Sequence, residues 1–296
     1  MGRASLIVIV LAAVVAGAAW ALTQPRTLDI ARIEAIVPDL ARGERAFHAA
    51  GCASCHRAPD AASGGSPVLA GGRSFETPYG TFVAPNISQD STHGIGGWSV
   101  EDIVNSVMMG TSPDGRHYYP AFPYGSYAKA DLADVVSLAA YLQTLPADPT
   151  PNRSHDLAFP FSIRAALGGW KWLYLDPAPV IEISDSAELA RGRDLAEGLG
   201  HCAECHGPRT ALGGLDTARW LAGAPNPSGR GTIPNITPAK LDWSEAEIAA
   251  YLKDGFTPDF DVAGGTMGPV IENFARLSDA DRQAVAKYLK AVPPVE

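Results

Sequence analysis

Cys52-Ala53-Ser54-Cys55-His56 and Cys202-Ala203-Glu204-Cys205-His206 are one five-residue pattern written twice, and together they use all four cysteines of the chain. C-x-x-C-H is the pattern of covalent haem attachment: two thiols add across the haem vinyl groups, and the adjoining imidazole becomes an axial iron ligand. Two intervening residues set both sulfurs along one porphyrin edge, and the histidine that follows sits where its ring can reach the iron. Cys52, Cys55, Cys202 and Cys205 are therefore the candidate attachment sites for two covalently bound haem c groups, with His56 and His206 as candidate iron ligands. A redox dithiol or half of a zinc ribbon also uses C-x-x-C. Ribbon knuckles close over about 15–20 residues, whereas well over a hundred separate Cys55 from Cys202. Two disulfides would make no use of His56 and His206.

The pattern sits inside a longer repeat. Ala41-Arg42-Gly43 leads into the first motif as Ala190-Arg191-Gly192 leads into the second, and Pro85-Asn86-Ile87-Ser88 answers Pro234-Asn235-Ile236-Thr237. Trp98-Ser99 corresponds to Trp243-Ser244, and Tyr141-Leu142 to Tyr288-Leu289, at offsets of 145 to 150 residues throughout. Within each copy the period is helical. Asp39 to Ala50 and Ser186 to Leu199 each open on a capping residue and carry apolar positions three or four apart. Ser99, Ser244 and Ser278 are expected N-caps with acidic residues in the turn that follows. Ala62–Gly72 and Gly213–Pro234, rich in Gly and Pro, read as ordered loops. No strand alternation persists.

This arrangement resembles class I cytochrome c from about residue 38 to 293. The resemblance implies an all-α fold: two tandem class I cytochrome c domains behind an N-terminal transmembrane helix or signal segment. The expected divisions are 1–25 for that segment, 38–147 for the first domain, 148–180 for a connector and 181–296 for the second domain. In the family the first and last helices of a domain cross on a small residue. Gly43 and Gly192 fit that place, since a missing side chain lets Tyr141 and Tyr288 approach the backbone. The middle of the connector, Phe161–Leu175, is apolar with Trp170, Trp172 and Tyr174, and reads as a segment packed between the domains or against a membrane surface or partner.

At 296 residues the chain has room for about two domains. Its 46% apolar and 19% charged content fit a folded, water-exposed body. A net charge of -9 excludes nucleic acid, which needs basic patches, and allows steering towards a basic partner. Arg3 precedes an uncharged run from Leu6 to Leu22, the pattern of export. Ala19-Trp20-Ala21 offers a small-x-small cleavage site. Against cleavage, the run is about long enough to span a bilayer, and Trp20 lies where an interfacial anchor would sit. The expected location is the inner membrane, anchored with the haem domains in the periplasm, with a soluble periplasmic protein as the alternative. Assembly of c-type cytochromes outside the cytoplasm implies the same compartment.

The two copies differ at the expected sixth iron ligand, where methionine raises the potential. Met267 follows Gly264-Gly265-Thr266 in a stretch read as a loop before the last helix, where class I cytochromes present their methionine. Counting from Trp243 and Trp98 alike, the corresponding residue of the first copy is Phe122, which cannot coordinate iron. His117, Met108, Met109, water or no ligand at all are the remaining possibilities for haem 1. Met108 and Met109 align with Lys253 and Asp254 and are expected to pack or cap.

Tyr119-Pro120-Ala121-Phe122-Pro123-Tyr124, the Gly-Gly-Thr-Met stretch and the Pro-Asn-Ile-Thr segment look like the haem subunits of membrane-bound alcohol and gluconate dehydrogenases. Those subunits carry three haem domains and usually a methionine in the first of these stretches; this chain has two domains and Phe122. The resemblance implies electron transfer from a periplasmic dehydrogenase to quinone-linked or terminal oxidase components. The alternative is a haem enzyme using an open or unusually ligated haem 1, with Arg116, His117, Tyr118 and Tyr119 near the vacancy.

Overall fold

The computed structural model describes residues 2–59, 66–182, 186–226 and 231–296. The apolar run forms α1 (Arg3–Leu22), solvent-exposed over Ala4–Leu22 with a mean hydropathy of 2.5 there, and a short α2 (Ile30–Glu34) follows. The first copy comprises α3 (Leu40–Ala49), α4 (Cys52–His56), α5 (Val100–Met109), α6 (Tyr124–Tyr127) and α7 (Leu132–Leu142). The connector holds α8 (Ala166–Tyr174). The second copy comprises α9 (Ala187–Arg193), α10 (Ala203–His206), α11 (Glu245–Asp254), α12 (Met267–Phe274) and α13 (Asp279–Ala291).

Local chemistry explains the helix starts. The Asp39 carboxylate accepts from the Arg42 amide at 2.8 Å, and Ser186 accepts from Leu189. Ser99 with Asp102 and Ser244 with Glu247 form reciprocal capping boxes, so α5 and α11 begin identically. Both also end identically, on Gly110 and Gly255 at φ of 57° and 78°. Ser278 caps α13 with Asp279 and Asp281 in its first turn.

The crossing glycines are required. α3 packs on α7 and α9 on α13. A Cβ on Gly43 would lie 2.1 Å from the Ser137 carbonyl oxygen and 2.8 Å from Tyr141 Cβ. One on Gly192 would lie 1.9 Å from the Ala284 carbonyl oxygen and 3.0 Å from Tyr288 Cβ. Tyr288 is fully buried there and donates to Glu197 while accepting from Trp220 Nε1.

Three features depart from the sequence reading. Helix α9 stops at Arg193 and Asp194–Leu199 continues as a π-turn. Nine positions separate Gly43 from Cys52 and ten separate Gly192 from Cys202, and a π-turn is how a helix absorbs one inserted residue. Met267 opens α12 and is not in a loop. Strands are present within the helical frame: β1 (Ser74–Thr77) and β2 (Gly80–Val83) pair antiparallel with Phe75 opposite Phe82, and β3 (Asp156–Leu157) joins β2. In the loop from Gly213 to Pro234, β4 (Ala224–Pro225) pairs with β5 (Thr232–Ile233). Residues 60–65 of the Ala62–Gly72 loop lie outside the described residues.

The copies are joined by charge and by the connector. Asp134, 2% exposed, receives Arg42 Nε at 2.5 Å from its own copy and Arg191 from the other, and Arg191 Nε reaches Asp281 at 2.8 Å. Helix α8 lies between the copies: Trp170 donates to the Leu212 carbonyl and Tyr174 bonds Thr210 on one side, while Lys171 Nζ donates to the Met109 and Gly110 carbonyls at 2.6 Å on the other.

Gly192→Ala and Gly43→Ala are each expected to destabilise by at least about 1–3 kcal/mol, because a backbone carbonyl and not a flexible side chain blocks the new methyl; thermal or denaturant unfolding measures it. Asp134→Ala is expected to lose about 2 kcal/mol. That is below the roughly 3–5 kcal/mol of fully buried pairs because Arg42 and Arg191 are about a third exposed. Its broken contact should also let the copies separate in small-angle scattering.

Candidate haem sites

The first C-x-x-C-H motif forms the short helix α4, and the second forms α10 with Cys202 as its N-cap. Gly51, at φ of 61°, turns the chain from α3 into α4. The two histidines are held alike. His56 Nδ1 donates to the Pro85 carbonyl at 2.9 Å, and His206 Nδ1 to the Pro234 carbonyl at 2.8 Å. That bond fixes the tautomer and leaves Nε2 with a free lone pair. Burial lowers both imidazole pKa values, outweighing the opposing proline contacts, so both rings stay neutral. The repeated Pro-Asn-Ile segments thus supply the second partner of each histidine, a role their side chains do not reveal. Asn86 and Asn235 tie the same segments down through side-chain bonds to backbone carbonyls.

The thiol environments separate the competing readings. Burial, followed by the Cys55 sulfur, pushes Cys52 up to about 12, and burial with Cys205 does the same to Cys202. Cys55 and Cys205 are raised as well, first by burial. A redox dithiol depends on the opposite shift. Among the described residues, no group of three or more His, Cys, Asp or Glu is placed to hold a metal ion, so the ribbon reading has no donor set. No disulfide joins any of the four cysteines, so each sulfur is available to a haem vinyl group. Two unbridged cysteine sulfurs beside an oriented, neutral imidazole fit covalent haem.

The two motifs meet across the boundary between copies. Asn273 Nδ2 of α12 donates to Ser54 Oγ, inside the first motif, at 2.9 Å. Ser126 of α6 donates to Glu204 Oε1, inside the second motif, at 2.7 Å. The Tyr127 and His201 rings stack edge to face at 5.5 Å between them. Sequence reasoning missed Asn273, Ser126 and Tyr127, whose only signal is position.

The far sides differ. Met267 is half-buried against the core at the start of α12. Phe122 is half-buried in an aromatic group, with the Tyr118 ring at 6.2 Å and Tyr127 at 5.6 Å. Met108 is in the core and Met109 is packed against it. His117 is 6% exposed; its Nε2 donates to the Thr23 carbonyl at 2.9 Å and its Nδ1 is buried without a partner. The imidazole is thus turned towards the segment that follows α1. Arg116 pairs with Asp114, and Tyr119 lies under the Arg164 guanidinium at 4.5 Å.

The cytochrome c family profile matches residues 40–146 and 189–293, and the chain belongs to that family. It carries two covalently bound haem c groups and is an electron-transfer dihaem cytochrome c. It is 55% identical to a "Diheme cytochrome c-type" protein of Cereibacter sphaeroides over 95% of this chain and 96% of that one. It is 38% identical to the fructose dehydrogenase cytochrome subunit of Gluconobacter japonicus over 86% of this chain. With the gluconate 2-dehydrogenase cytochrome c subunit of Pantoea cypripedii it shares 34% over 85%. The chain spans 53% and 59% of those two subunits, a little over half their length.

Proposed function

We propose that this protein is an intramolecular electron relay that takes electrons from a periplasmic dehydrogenase and passes them, haem 1 to haem 2, towards a quinone-linked or terminal oxidase component. The observation that carries the reading is the pair of reciprocal bonds, Asn273 to Ser54 and Ser126 to Glu204, by which each copy grips the other's haem motif. When bound, each haem supplies a one-electron iron couple. In this reading Cys52, Cys55, Cys202 and Cys205 hold the two haems as thioethers, and His56 and His206 offer Nε2 to the irons. Met267 offers its thioether to haem 2. The donor is inferred from the dehydrogenase cytochrome subunits this chain resembles.

The body divides, in this reading, into two tandem class I domains, 38–147 and 181–296, joined by the connector 148–180. Helix α1 stays in the inner membrane as an anchor and holds both domains in the periplasm. Its length and hydropathy support that reading, as do the exposed Trp172 and Leu173 of α8 beside it, whose Gly168 packs on the Thr23 carbonyl. Aromatic side chains of this kind favour the membrane interface.

A second reading, catalysis at haem 1, rests on Phe122 and on His117 being engaged by Thr23. A high-spin haem 1 that binds carbon monoxide supports it; two low-spin haems exclude it.

A redox titration is expected to resolve two one-electron steps separated by on the order of 0.1 V, a fraction of the roughly 0.8 V that axial ligands span. Coincident steps, or haem 1 at the higher potential, would overturn the direction of transfer. Met267→His is expected to remove the long-wavelength absorption of methionine-ligated ferric haem and lower the upper potential. Phe122→Met is expected to double that absorption and raise the lower one.

A further inference from the structure

The two copies carry the same small hairpin with opposite surroundings. An offset of 145 carries Thr111–His117 onto Phe256–Val262, and each is closed by one antiparallel bridge, Thr111 to His117 and Phe256 to Val262. Each follows the left-handed glycine that ends α5 or α11. In the first copy the two ends of the hairpin, Thr111, Ser112 and His117, are covered, and only its tip, Pro113–Arg116, is exposed. Thr111 Oγ1 donates to the Arg26 carbonyl, His117 donates to the Thr23 carbonyl, and Arg164 Nη1 donates to the His117 carbonyl at 2.8 Å. Lys171 Nζ sits on the carbonyls at its base. The side chains that reach it, Arg164 and Lys171, are cationic.

The second hairpin is bare. Phe256 is 55% exposed, Val262 60% and Phe260 90%. Phe260 also has a φ of 63°, at the position where the first copy has Gly115 at 74°. A left-handed backbone strains any residue with a Cβ, and an exposed aromatic ring gains nothing from burial to offset it. Asp259 and Asp261 flank Phe260 in the chain, Glu247 and Asp254 line one cleft with it, and none of the four has an ion pair among the described residues. Five residues further on lies Met267.

We propose that the 256–262 hairpin is the docking surface through which the second copy delivers electrons, with Phe260 as anchor. Its occupant is a redox protein whose apolar pocket is rimmed by lysine and arginine. The inference rests on the relay reading. The carboxylates beside Phe260 complement a basic rim, and a large apolar side chain seated in a partner's pocket can carry most of an interface's binding energy. In the first copy Arg164 and Lys171 donate to backbone carbonyls of the same hairpin and its base, so cationic groups suit this backbone shape. A second copy of the chain, with its formal charge of -9, would bring a surplus of like charge to this acidic patch.

The test uses the full-length, haem-loaded protein in detergent. The reduced protein is mixed in a stopped-flow instrument with an oxidised, lysine-rich soluble cytochrome c as probe, and separately with ferricyanide. Phe260→Gly restores the residue that suits this backbone angle, so the fold is kept and the thermal midpoint should not fall. It is expected to slow transfer to the probe about 10-fold while leaving the ferricyanide rate unchanged. Asp259→Asn with Asp261→Asn should flatten the fall of the probe rate with salt. Probe rates and salt dependence equal to wild type in both variants would overturn the docking surface. Sedimentation showing a wild-type dimer that Phe260→Gly dissociates would overturn the basic partner in favour of a second copy. Failure of the wild type to reduce even ferricyanide would defeat the relay reading, a result distinct from either.

Discussion

The Gly192 Cα lies so close to the Ala284 carbonyl that no side chain fits between them, and Gly43 meets Ser137 in the same way. Close crossing of the first and last helices is the constraint from which each copy is built. It sets where α3 and α9 end and so where the short motif helices α4 and α10 begin. It also brings Tyr141 and Tyr288 over the preceding helices, and Tyr288 then organises Trp220 and Glu197 in the second core. A motif helix hung from a crossing this tight has little freedom. Its histidine meets the waiting proline carbonyl without further adjustment.

Much of this was legible in the residues. Asp39, Ser99, Ser186, Ser244 and Ser278 are all capping residues in the structure, because the chemistry of a cap is local. The crossing glycines were readable because they recur before both motifs. The Pro85 and Pro234 acceptors were not, since a backbone carbonyl leaves no trace in a side-chain pattern. The hairpin of β1 and β2 was missed because strands of four residues are too short to show alternation. The bonds of Asn273 and Ser126 join residues 219 and 78 apart in opposite copies, a pairing that only the packed arrangement determines.

The copies share their scaffold and diverge where surroundings differ. The first copy is enclosed, with the ends of its hairpin under residues 23–28 and α8, and Phe122 embedded among tyrosines. The second is open on the same side. Asp134 holds the two in register by accepting both Arg42 and Arg191. Thus a duplication that keeps its motifs and their spacing becomes an asymmetric pair through contacts that only one copy makes.

The π-turn at Asp194–Leu199 has a structural consequence. Its one additional residue accompanies Glu197, 1% exposed, whose carboxylate accepts from the Val180 and Ile181 amides and the Tyr288 hydroxyl. Deleting that residue to restore the shorter helix would strand three donors at once. The additional residue therefore ties the connector's end to the second copy alone, and the two halves are not interchangeable parts.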